Sequence, residues 1–237
     1  MEEAKVKPKV ILPKEKVKAS RRNPSKLIIY GPPKIGKTTL ISQLSDTLIL
    51  DLENGSNFVD AMKIHISSIA ELKDVGETIK KEGRPYKRIA VDTSTELEKW
   101  AEDLAKTMYM ETPIGKNFKE KSILTLPNGG GYLWLRLAFE RLQEYIETLA
   151  EEIIYIGHLK DKLIERDGKE VSAKDIDHTG KIRSIICSRA DAVGYIYRKD
   201  TQMWVTFKSS DEIVCGSRCD HLKGQEFEFN WDKIYID

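Results

Sequence analysis

The feature that most constrains this chain is a loop from Gly31 to Thr39 that follows a short apolar run. Residues 31–38 are GPPKIGKT and fit the pattern G-x4-G-K-[ST]. Glycine permits a tight loop whose backbone N–H groups point at an anion, and a following helix presents its positive N-terminal end to the same charge. The run KLIIY (26–30) predicts a buried strand before the loop, and TTLISQLSDTL predicts a helix after it. We therefore expect a phosphate-binding loop at the edge of a sheet.

The side chains of this loop have separate expected roles. Lys37 is expected to reach the β- and γ-phosphates of a nucleoside triphosphate, and the Thr38 hydroxyl is expected to ligate Mg²⁺. The alternative, a chance glycine-lysine loop, does not account for the flanking strand and helix patterns. The residues expected to contact the nucleotide are Gly31, Pro32, Pro33, Lys34, Ile35, Gly36, Lys37, Thr38 and Thr39.

Three further apolar runs predict strands of the same sheet: TLILD (47–51), RIAVD (88–92) and IIYIG (153–157). Runs as apolar as these are typical of parallel strands that are covered on both faces. Apolar residues at spacings of three and four predict helices over 97–108 and 135–149. The alternation of strands and helices indicates an α/β fold with an open, mostly parallel, doubly wound sheet and helices on both faces.

The carboxyl-terminal part has a different pattern. The segments VGYIYRK, QMWVTFK and EIVCG alternate polar and apolar residues, as antiparallel strands do. We expect them to form an antiparallel extension of the sheet over about residues 192–237. At 237 residues the chain can form one sizeable α/β domain, which we assign to residues 25–237.

The amino-terminal segment, residues 1–24, is a basic arm that we expect to be flexible. Residues 1–26 hold nine Lys or Arg and three Glu, a charge of +6, which leaves −5 for the remainder because the net charge is +1. The body therefore lacks the broad basic field of a duplex-binding protein, and any nucleic-acid contact is expected from local loops or from this arm. A simple solvated arm is the alternative interpretation.

The composition also bears on the compartment of the protein. No stretch approaches the roughly 18 to 20 apolar residues that cross a bilayer, and MEEAKVKPKV has no apolar core of a secretory signal. We therefore expect a soluble, cytoplasmic protein without a membrane partner.

Cys215, Cys219 and His221 form C-x3-C-x-H, but a structural zinc site needs four ligands at recognised spacings. We expect buried thiols there rather than a metal site.

A second candidate metal ligand is Asp92, which ends the apolar run RIAVD. We expect its strand to lie directly beside the strand that precedes the phosphate loop. There the carboxylate of Asp92 can hold Mg²⁺ through water. The alternative is that Asp92 only caps the end of its strand.

Hydrolysis of a nucleotide also requires a group that activates water, and three acidic residues follow predicted strands: Asp51, Glu53 and Glu96. Glu53 is preferred, because a side chain just past the second strand can face the γ-phosphate from the side opposite Lys37. Asp51 is the alternative cap of the turn. His158, directly after the fourth strand, is expected to sense the γ-phosphate through a hydrogen bond, although a core or capping histidine is the alternative.

Four segments in this order, GPPKIGKTT, LILDLENGSNFVDA, RIAVDT and IYIGHLK, resemble the core of RecA-type ATPases. In particular they resemble the short phage recombination ATPases of the Sak single-strand-annealing group. The resemblance spans about residues 25–200 and implies a RecA-like P-loop core, ATP and Mg²⁺ as ligands, and a role in DNA recombination or annealing. It also implies that Glu53, in the family's D-x-E segment, activates the attacking water. His158 stands where RecA itself usually has the glutamine that couples the γ-phosphate to a DNA-binding loop.

The same resemblance implies two loops that contact single-stranded DNA, residues 111–131 and 159–180. Their lysines could neutralise phosphates, and Phe118 or Tyr132 could stack on bases. RecA-type ATPases usually bind ATP near the interface between subunits, which implies a homo-oligomer in which a basic residue of one subunit stabilises charge in the next. The candidates for that residue are Lys181 and Arg183.

Two other functions use the same phosphate loop. A P-loop small-molecule kinase would need an arginine-rich lid and an acceptor pocket, whereas the insertions here are rich in lysine and acidic residues. A nucleotide-controlled scaffold that does not hydrolyse ATP would keep Lys37 and Thr38 but would not depend on Glu53. An ATP-hydrolysing protein of DNA recombination or annealing is therefore the leading hypothesis.

Overall fold

One mixed β-sheet organises residues 12–166 and 169–237, the part of the chain that the computed structural model describes. The strands are β1 Lys26–Gly31, β2 Thr47–Asp51, β3 Lys63–His65, β4 Arg88–Asp92, β5 Glu152–Arg166, β6 Lys169–Ile176, β7 Ala192–Lys199, β8 Gln202–Thr206, β9 Gly216–Ser217 and β10 Glu226–Glu228. The helices are α1 Lys37–Ser42, α2 Ile69–Lys81, α3 Ser94–Met110, α4 Gly130–Glu147, α5 Ile182–Arg189 and α6 Trp231–Ile234.

The central strands lie in the order β10-β8-β7-β1-β5-β4-β2-β3. The strands from β7 to β3 in this order are parallel to one another, whereas β8 and β10 are antiparallel to their neighbours. The expected mostly parallel sheet with an antiparallel carboxyl-terminal extension is therefore confirmed. The parallel strands run toward one edge of the sheet, where β1, β2 and β4 end at Gly31, Asp51 and Asp92 and β5 continues beyond it.

Helices cover both faces of the sheet, as expected. In β1, Ile28 and Tyr30 belong to a core shared with α2, α3, α4 and α5, whereas Leu27 and Ile29 belong to a core shared with α1 and α6. This alternation follows from the two-residue period of a strand. Each fully buried Leu or Ile stabilises the fold by about 1.5–3 kcal/mol, so the apolar runs determine where the sheet lies.

The helices expected at 97–108 and 135–149 are present as α3 and α4. The Thr93 hydroxyl accepts a hydrogen bond from the Glu96 N–H and so fixes the start of α3. The helix after the phosphate loop is shorter than expected, since α1 ends at Ser42. The reason is that the run beginning at Thr47 is buried throughout as β2, which leaves no length for further helical turns.

One expected neighbour relation in the sheet is wrong. The strand that ends at Asp92, β4, does not lie beside β1, because β5 pairs with both β1 and β4 and separates them. The apolar runs of β4 and β5 are equally suited to a buried position, so hydrophobicity alone could not order them.

The segment 159–180, expected as a loop, is largely a β-hairpin. Strand β5 continues through His158 to Arg166, and β6 pairs with it antiparallel from Leu159–Ile176 to Arg166–Lys169. His158 therefore lies within a strand rather than directly after one. An Asp-Gly pair flanked by alternating polar and apolar residues favours a hairpin, and this pair, at 167–168, lies outside the described part.

The carboxyl-terminal strands differ in detail from the expectation. The segment EIVCG (212–216) contributes only a bridge from Ile213 to Lys174 and the first residue of β9. The strand that pairs with the outer side of β8 is β10 instead.

Among the described residues, each helix is too short or too polar to cross a lipid bilayer. Residues 1–11 of the basic arm lie outside the described part.

Candidate nucleotide site

The phosphate loop connects the end of β1 to the start of α1. Gly36 immediately precedes α1 with φ 108°, a conformation that L side chains rarely adopt, so glycine is required there. Gly31 lies against β7, where an added Cβ atom would be only 2.6 Å from the carbonyl oxygen of Ile196. The local structure therefore requires both glycines of the motif: Gly36 because of its positive φ angle, and Gly31 because of its close contact with the sheet.

Lys37 points back into this loop. Its ammonium group donates hydrogen bonds to the carbonyl oxygens of Gly31 at 3.0 Å and Pro32 at 2.9 Å, and the residue is buried. Burial lowers the pKa of Lys37, although the charges of Asp92 and Glu53 act in the opposite direction. A buried cation held mainly by neutral carbonyl groups is stabilised by an added anion, so Lys37 fits a phosphate.

Thr38 and Asp92 form the second part of the site. The Thr38 hydroxyl donates to Oδ2 of Asp92 at 2.6 Å, even though β5 lies between β4 and β1, the strand that precedes the phosphate loop. Burial raises the pKa of Asp92, the charges of Glu53 and Asp51 act in the same direction, and the Thr38 bond opposes them. A carboxylate and a hydroxyl are the hard oxygen ligands that Mg²⁺ prefers, and a cation would stabilise the charged form of Asp92. The two residues therefore fit a magnesium ion.

Glu53 follows β2 and contacts Thr93, directly after β4, and His158, within β5. Its Oε1 atom accepts a hydrogen bond from the Thr93 hydroxyl at 2.7 Å and lies 3.0 Å from Nε2 of His158. The hydrogen bond with His158 is the largest cause that lowers the pKa of Glu53, and Thr93 adds to it. Glu53 is therefore ionised at neutral pH and can accept a proton. Because both contacts use Oε1, they leave Oε2 for another partner.

The other two acidic candidates have structural partners. Asp51 is buried and accepts hydrogen bonds from the N–H groups of Glu53, Gly55 and Ser56 and from the Ser56 hydroxyl. Burial alone would raise the pKa of Asp51, but these bonds hold it below its ordinary value. Asp51 thus caps the turn, the alternative expected for it.

Glu96, the third acidic candidate, binds Lys99 at 2.6 Å on the first turn of α3. Only Glu53 among the three contacts both His158 and Thr93 in the described structure.

Several residues of this edge were not predicted from the sequence. Thr93 lies between Asp92 and α3 and links Glu53 to the helix cap, a role that the T-S-T-E pattern after a strand could have indicated. A buried group of Ser94, Glu98 and His178 adjoins it. His178 is 80 positions from Glu98, so no local pattern could have brought the two together.

The residues expected to contact DNA have mixed surroundings. Phe118 packs edge-on against Tyr109, with ring centroids 5.3 Å apart, and is half-buried, whereas Tyr132 is exposed. Arg183 forms an ion pair with Asp175 of the same chain, and Lys181 is exposed. Tyr132 and Lys181 therefore have accessible side chains, while Phe118 and Arg183 already have partners.

Cys215 and His221 of the cysteine segment lie within hydrogen-bond distance of backbone carbonyl oxygens. The Cys215 thiol donates to the Lys208 carbonyl oxygen at 3.1 Å, and Nε2 of His221 lies 3.0 Å from the carbonyl oxygen of Ile234. Burial raises the pKa of Cys215 to about 12. The thiol is therefore protonated at neutral pH.

Comparison with known proteins gives one family match. The AAA_24 family model, described as an AAA domain, matches residues 23–219, which include every residue of the site. The comparison with curated proteins found no significant match.

Three solved structures with similarity to this chain are a secretion ATPase, a recombinase and a KaiC-like protein. An ATPase from the type III secretion system of pathogenic bacteria is 12% identical over 90% of this chain with a TM-score of 0.46, and this chain spans 62% of its length. The RadB recombinase is 13% identical over 90% of both chains with a TM-score of 0.42. The KaiC-like protein PH0186 from Pyrococcus horikoshii OT3 is 12% identical over 89% of this chain and 87% of its own, with a TM-score of 0.44. The sheet order and the family match confirm the expected α/β class, with a mostly parallel sheet and an antiparallel carboxyl-terminal extension.

Proposed function

Because the chain belongs to the AAA_24 family of AAA domains, we propose that it is a Mg²⁺-dependent ATPase that acts on single-stranded DNA in recombination or annealing. The observation that carries the ATPase part is the convergence of three features at one edge of the sheet. These are the buried ammonium group of Lys37, the Thr38–Asp92 pair at 2.6 Å and the Glu53–His158 pair at 3.0 Å. Together they supply a phosphate ligand, a metal ligand set and a base.

Each residue has a defined task in the proposed reaction. The loop of residues 31–39 binds and orients the phosphates through Lys37 and through its backbone N–H groups, which Pro32 and Pro33 lack. Thr38 and Asp92 hold the metal ion. The Mg²⁺ ion supplies neutralisation of charge on the β- and γ-phosphates. Glu53 accepts a proton from the attacking water, and His158 and Thr93 keep its Oε1 in place so that Oε2 can face that water.

His158 also connects the site to the hairpin formed by β5 and β6, since it lies in β5 opposite Gly31 of the loop strand. This position supports the proposed role of His158 as a sensor of the γ-phosphate. The lysines of the hairpin and the exposed ring of Tyr132 are the proposed contacts to single-stranded DNA.

Further parts of the proposal rest on the resemblance to the phage ATPases of the Sak group. One part is a homo-oligomer that binds ATP near the interface between subunits. Lys181 is the stronger candidate for the basic residue that one subunit supplies to the next, because Arg183 already pairs with Asp175. The other parts are a cytoplasmic location and a two-part organisation, with a basic arm at 1–24 that adds DNA or subunit contacts and an ATPase domain at 25–237.

The experiment that tests the proposal measures phosphate release from ATP with and without single-stranded DNA and with Mg²⁺ or EDTA. We expect Mg²⁺-dependent turnover that DNA stimulates, and loss of the stimulation in Lys162→Ala, a change in the exposed part of β5. Lys73→Ala on α2 removes the same charge from an exposed position elsewhere and is expected to behave as the wild type. Transfer of phosphate to a nucleoside would favour a kinase, and ATP binding without turnover would favour a non-hydrolysing scaffold.

A further inference from the structure

A buried polar group ties the base of the hairpin to the helix that follows Asp92. After β6 ends at Ile176, the chain passes through His178 on its way to α5. The His178 side chain is fully buried. Its Nδ1 forms a short hydrogen bond with Oε2 of Glu98, and its Nε2 lies 3.1 Å from the hydroxyl of Ser94. His178 thus contacts two successive turns of α3.

Further bonds join the same two segments. The Thr179 N–H donates to both carboxylate oxygens of Glu98, at 3.0 and 3.2 Å, and the Thr95 hydroxyl donates to the carbonyl oxygen of Asp177 at 3.3 Å. Burial alone would raise the pKa of Glu98, but the bonds from His178 and Thr179 hold it below its ordinary value. The start of α3 and residues 177–179 are therefore held as one unit.

The start of α3 is also part of the nucleotide site. Thr93 caps α3 and donates to Glu53, and Ser94 is the first residue of the helix. The other side of the hairpin reaches Glu53 directly through His158 of β5, and the Asp177 N–H donates to the His158 carbonyl oxygen at 2.9 Å. Both strands at the base of the hairpin are thus connected to Glu53, one through His158 and the other through His178, Ser94 and Thr93.

Packing alone does not explain a polar group at this position. The His178 ring packs edge-on against Phe139, with centroids 5.6 Å apart, while both of its nitrogens face polar partners on α3. Burying the Glu98 carboxylate costs desolvation energy, which the bonds from His178 and Thr179 offset. We propose that His178 is a positioning residue that holds the base of the hairpin in register with Thr93 and Glu53, so that nucleotide binding changes the order of the hairpin.

This inference rests on the nucleotide-binding part of the proposed function and not on DNA binding. The test is amide hydrogen exchange in residues 159–166 and 169–176, with and without Mg²⁺ and a non-hydrolysable ATP analogue. The affinity for the analogue is measured separately by fluorescence. We expect the analogue to slow exchange at the hairpin base about fivefold or more in the wild type.

His178→Leu is expected to lose most of this response while its affinity for the analogue stays within about threefold of the wild type. Ser94→Ala removes only the hydrogen bond between Ser94 and His178 and is expected to show an intermediate response. It is the variant that tests the proposal if His178→Leu does not fold. Ile79→Val in the buried face of α2 is a control for general loss of stability and is expected to respond as the wild type does.

Two results would overturn the positioning role. One is a hairpin that does not respond in the wild type although the analogue binds, and the other is a full response in both His178→Leu and Ser94→Ala. Failure of the wild type to bind the analogue at all would instead remove the proposed nucleotide function, and the positioning role with it.

Discussion

At the amino edge of the parallel sheet, hydrogen bonds stabilise the charged form of Asp191, whereas at the carboxyl edge, beside the phosphate loop, burial disfavours the charged forms of Lys37 and Asp92. Asp191, just before β7, accepts hydrogen bonds from the hydroxyl and N–H of Ser25 and from the N–H of Lys26. Burial alone would raise the pKa of Asp191, but these bonds hold it below its ordinary value. At the opposite edge, burial lowers the pKa of Lys37 and raises that of Asp92.

We propose that the difference separates a structural edge from the edge that binds the nucleotide. At the amino edge the protein stabilises the charged form of Asp191, and at the carboxyl edge it disfavours the charged forms of Lys37 and Asp92. Groups with such perturbed pKa values are typical of functional sites. An anion beside Lys37 and a cation beside Thr38 and Asp92 would stabilise the charged forms of both residues, in agreement with the proposed nucleotide site.

The largest expected effect is that of Lys37→Ala. Loss of the ammonium group that contacts the phosphates is expected to reduce ATP turnover by about 10³-fold or more. The unfolding temperature without nucleotide is expected to stay near the wild-type value, because burial already disfavours the charged lysine. Phosphate release and thermal unfolding measure the two effects, with Lys73→Ala as the charge control. Turnover that persists in Lys37→Ala would contradict the assignment of the phosphate loop.

Glu53→Gln is expected to have the next largest effect. Removal of a general base typically reduces the rate by about 10²- to 10⁴-fold, while binding of a fluorescent ATP analogue is expected to remain. The matched change Glu96→Gln removes a carboxylate that pairs with Lys99 and is expected to leave turnover within about twofold. If Glu96→Gln lost turnover and Glu53→Gln kept it, the base would have to be reassigned.

Asp92→Asn and Asp191→Asn make the same chemical change at opposite edges of the sheet. Their effects on the stability of the fold are expected to have opposite signs. Because the folded protein raises the pKa of Asp92, its ionised carboxylate destabilises the fold at neutral pH. The variant Asp92→Asn is therefore expected to unfold at the same or a higher temperature than the wild type. Its affinity for Mg²⁺ in the presence of nucleotide is expected to fall about 10- to 100-fold. Calorimetric titration of Mg²⁺ measures this loss, and an unchanged affinity would remove Asp92 from the metal site.

Asp191→Asn is expected to have the smallest effect on turnover and a clear effect on stability. Loss of its charged hydrogen bonds is expected to lower the free energy of unfolding by about 1–2 kcal/mol at pH 7, with turnover unchanged. Since the folded-state pKa of Asp191 is lowered, the stabilisation is present above the ordinary aspartate pKa and is lost as the pH falls through the folded-state value. Urea unfolding at pH 7 and at about pH 3 measures the difference between variant and wild type, which should shrink at the lower pH. A difference that grows in acid would contradict this account.

The sequence predicted the parts of the site that depend on local patterns. The phosphate loop follows β1 and precedes α1 because glycine positions and an apolar run determine both, and Asp92 ends a strand because its preceding residues are continuously apolar. Glu53 was chosen from its place after β2 and from the family resemblance, and its position against His158 and Thr93 agrees with that choice without testing its role.

The parts that the sequence did not predict depend on contacts between distant segments. The position of β5 between β1 and β4 depends on how strands of equal hydrophobicity are ordered in the sheet. Glu53 meets Thr93 across 40 positions and His158 across 105, and His178 meets Glu98 across 80. No spacing rule for helices or strands connects residues so far apart, so these contacts become visible only in the folded chain.

The most direct test of the account is a crystal structure of the protein with Mg²⁺ and a non-hydrolysable ATP analogue. The account predicts that the phosphates lie within hydrogen-bond distance of Lys37 Nζ and of the backbone N–H groups of residues 34–39, and that the metal ion contacts the Thr38 hydroxyl on the side facing Asp92. A triphosphate bound elsewhere on the protein, or a metal ion distant from both Thr38 and Asp92, would contradict it.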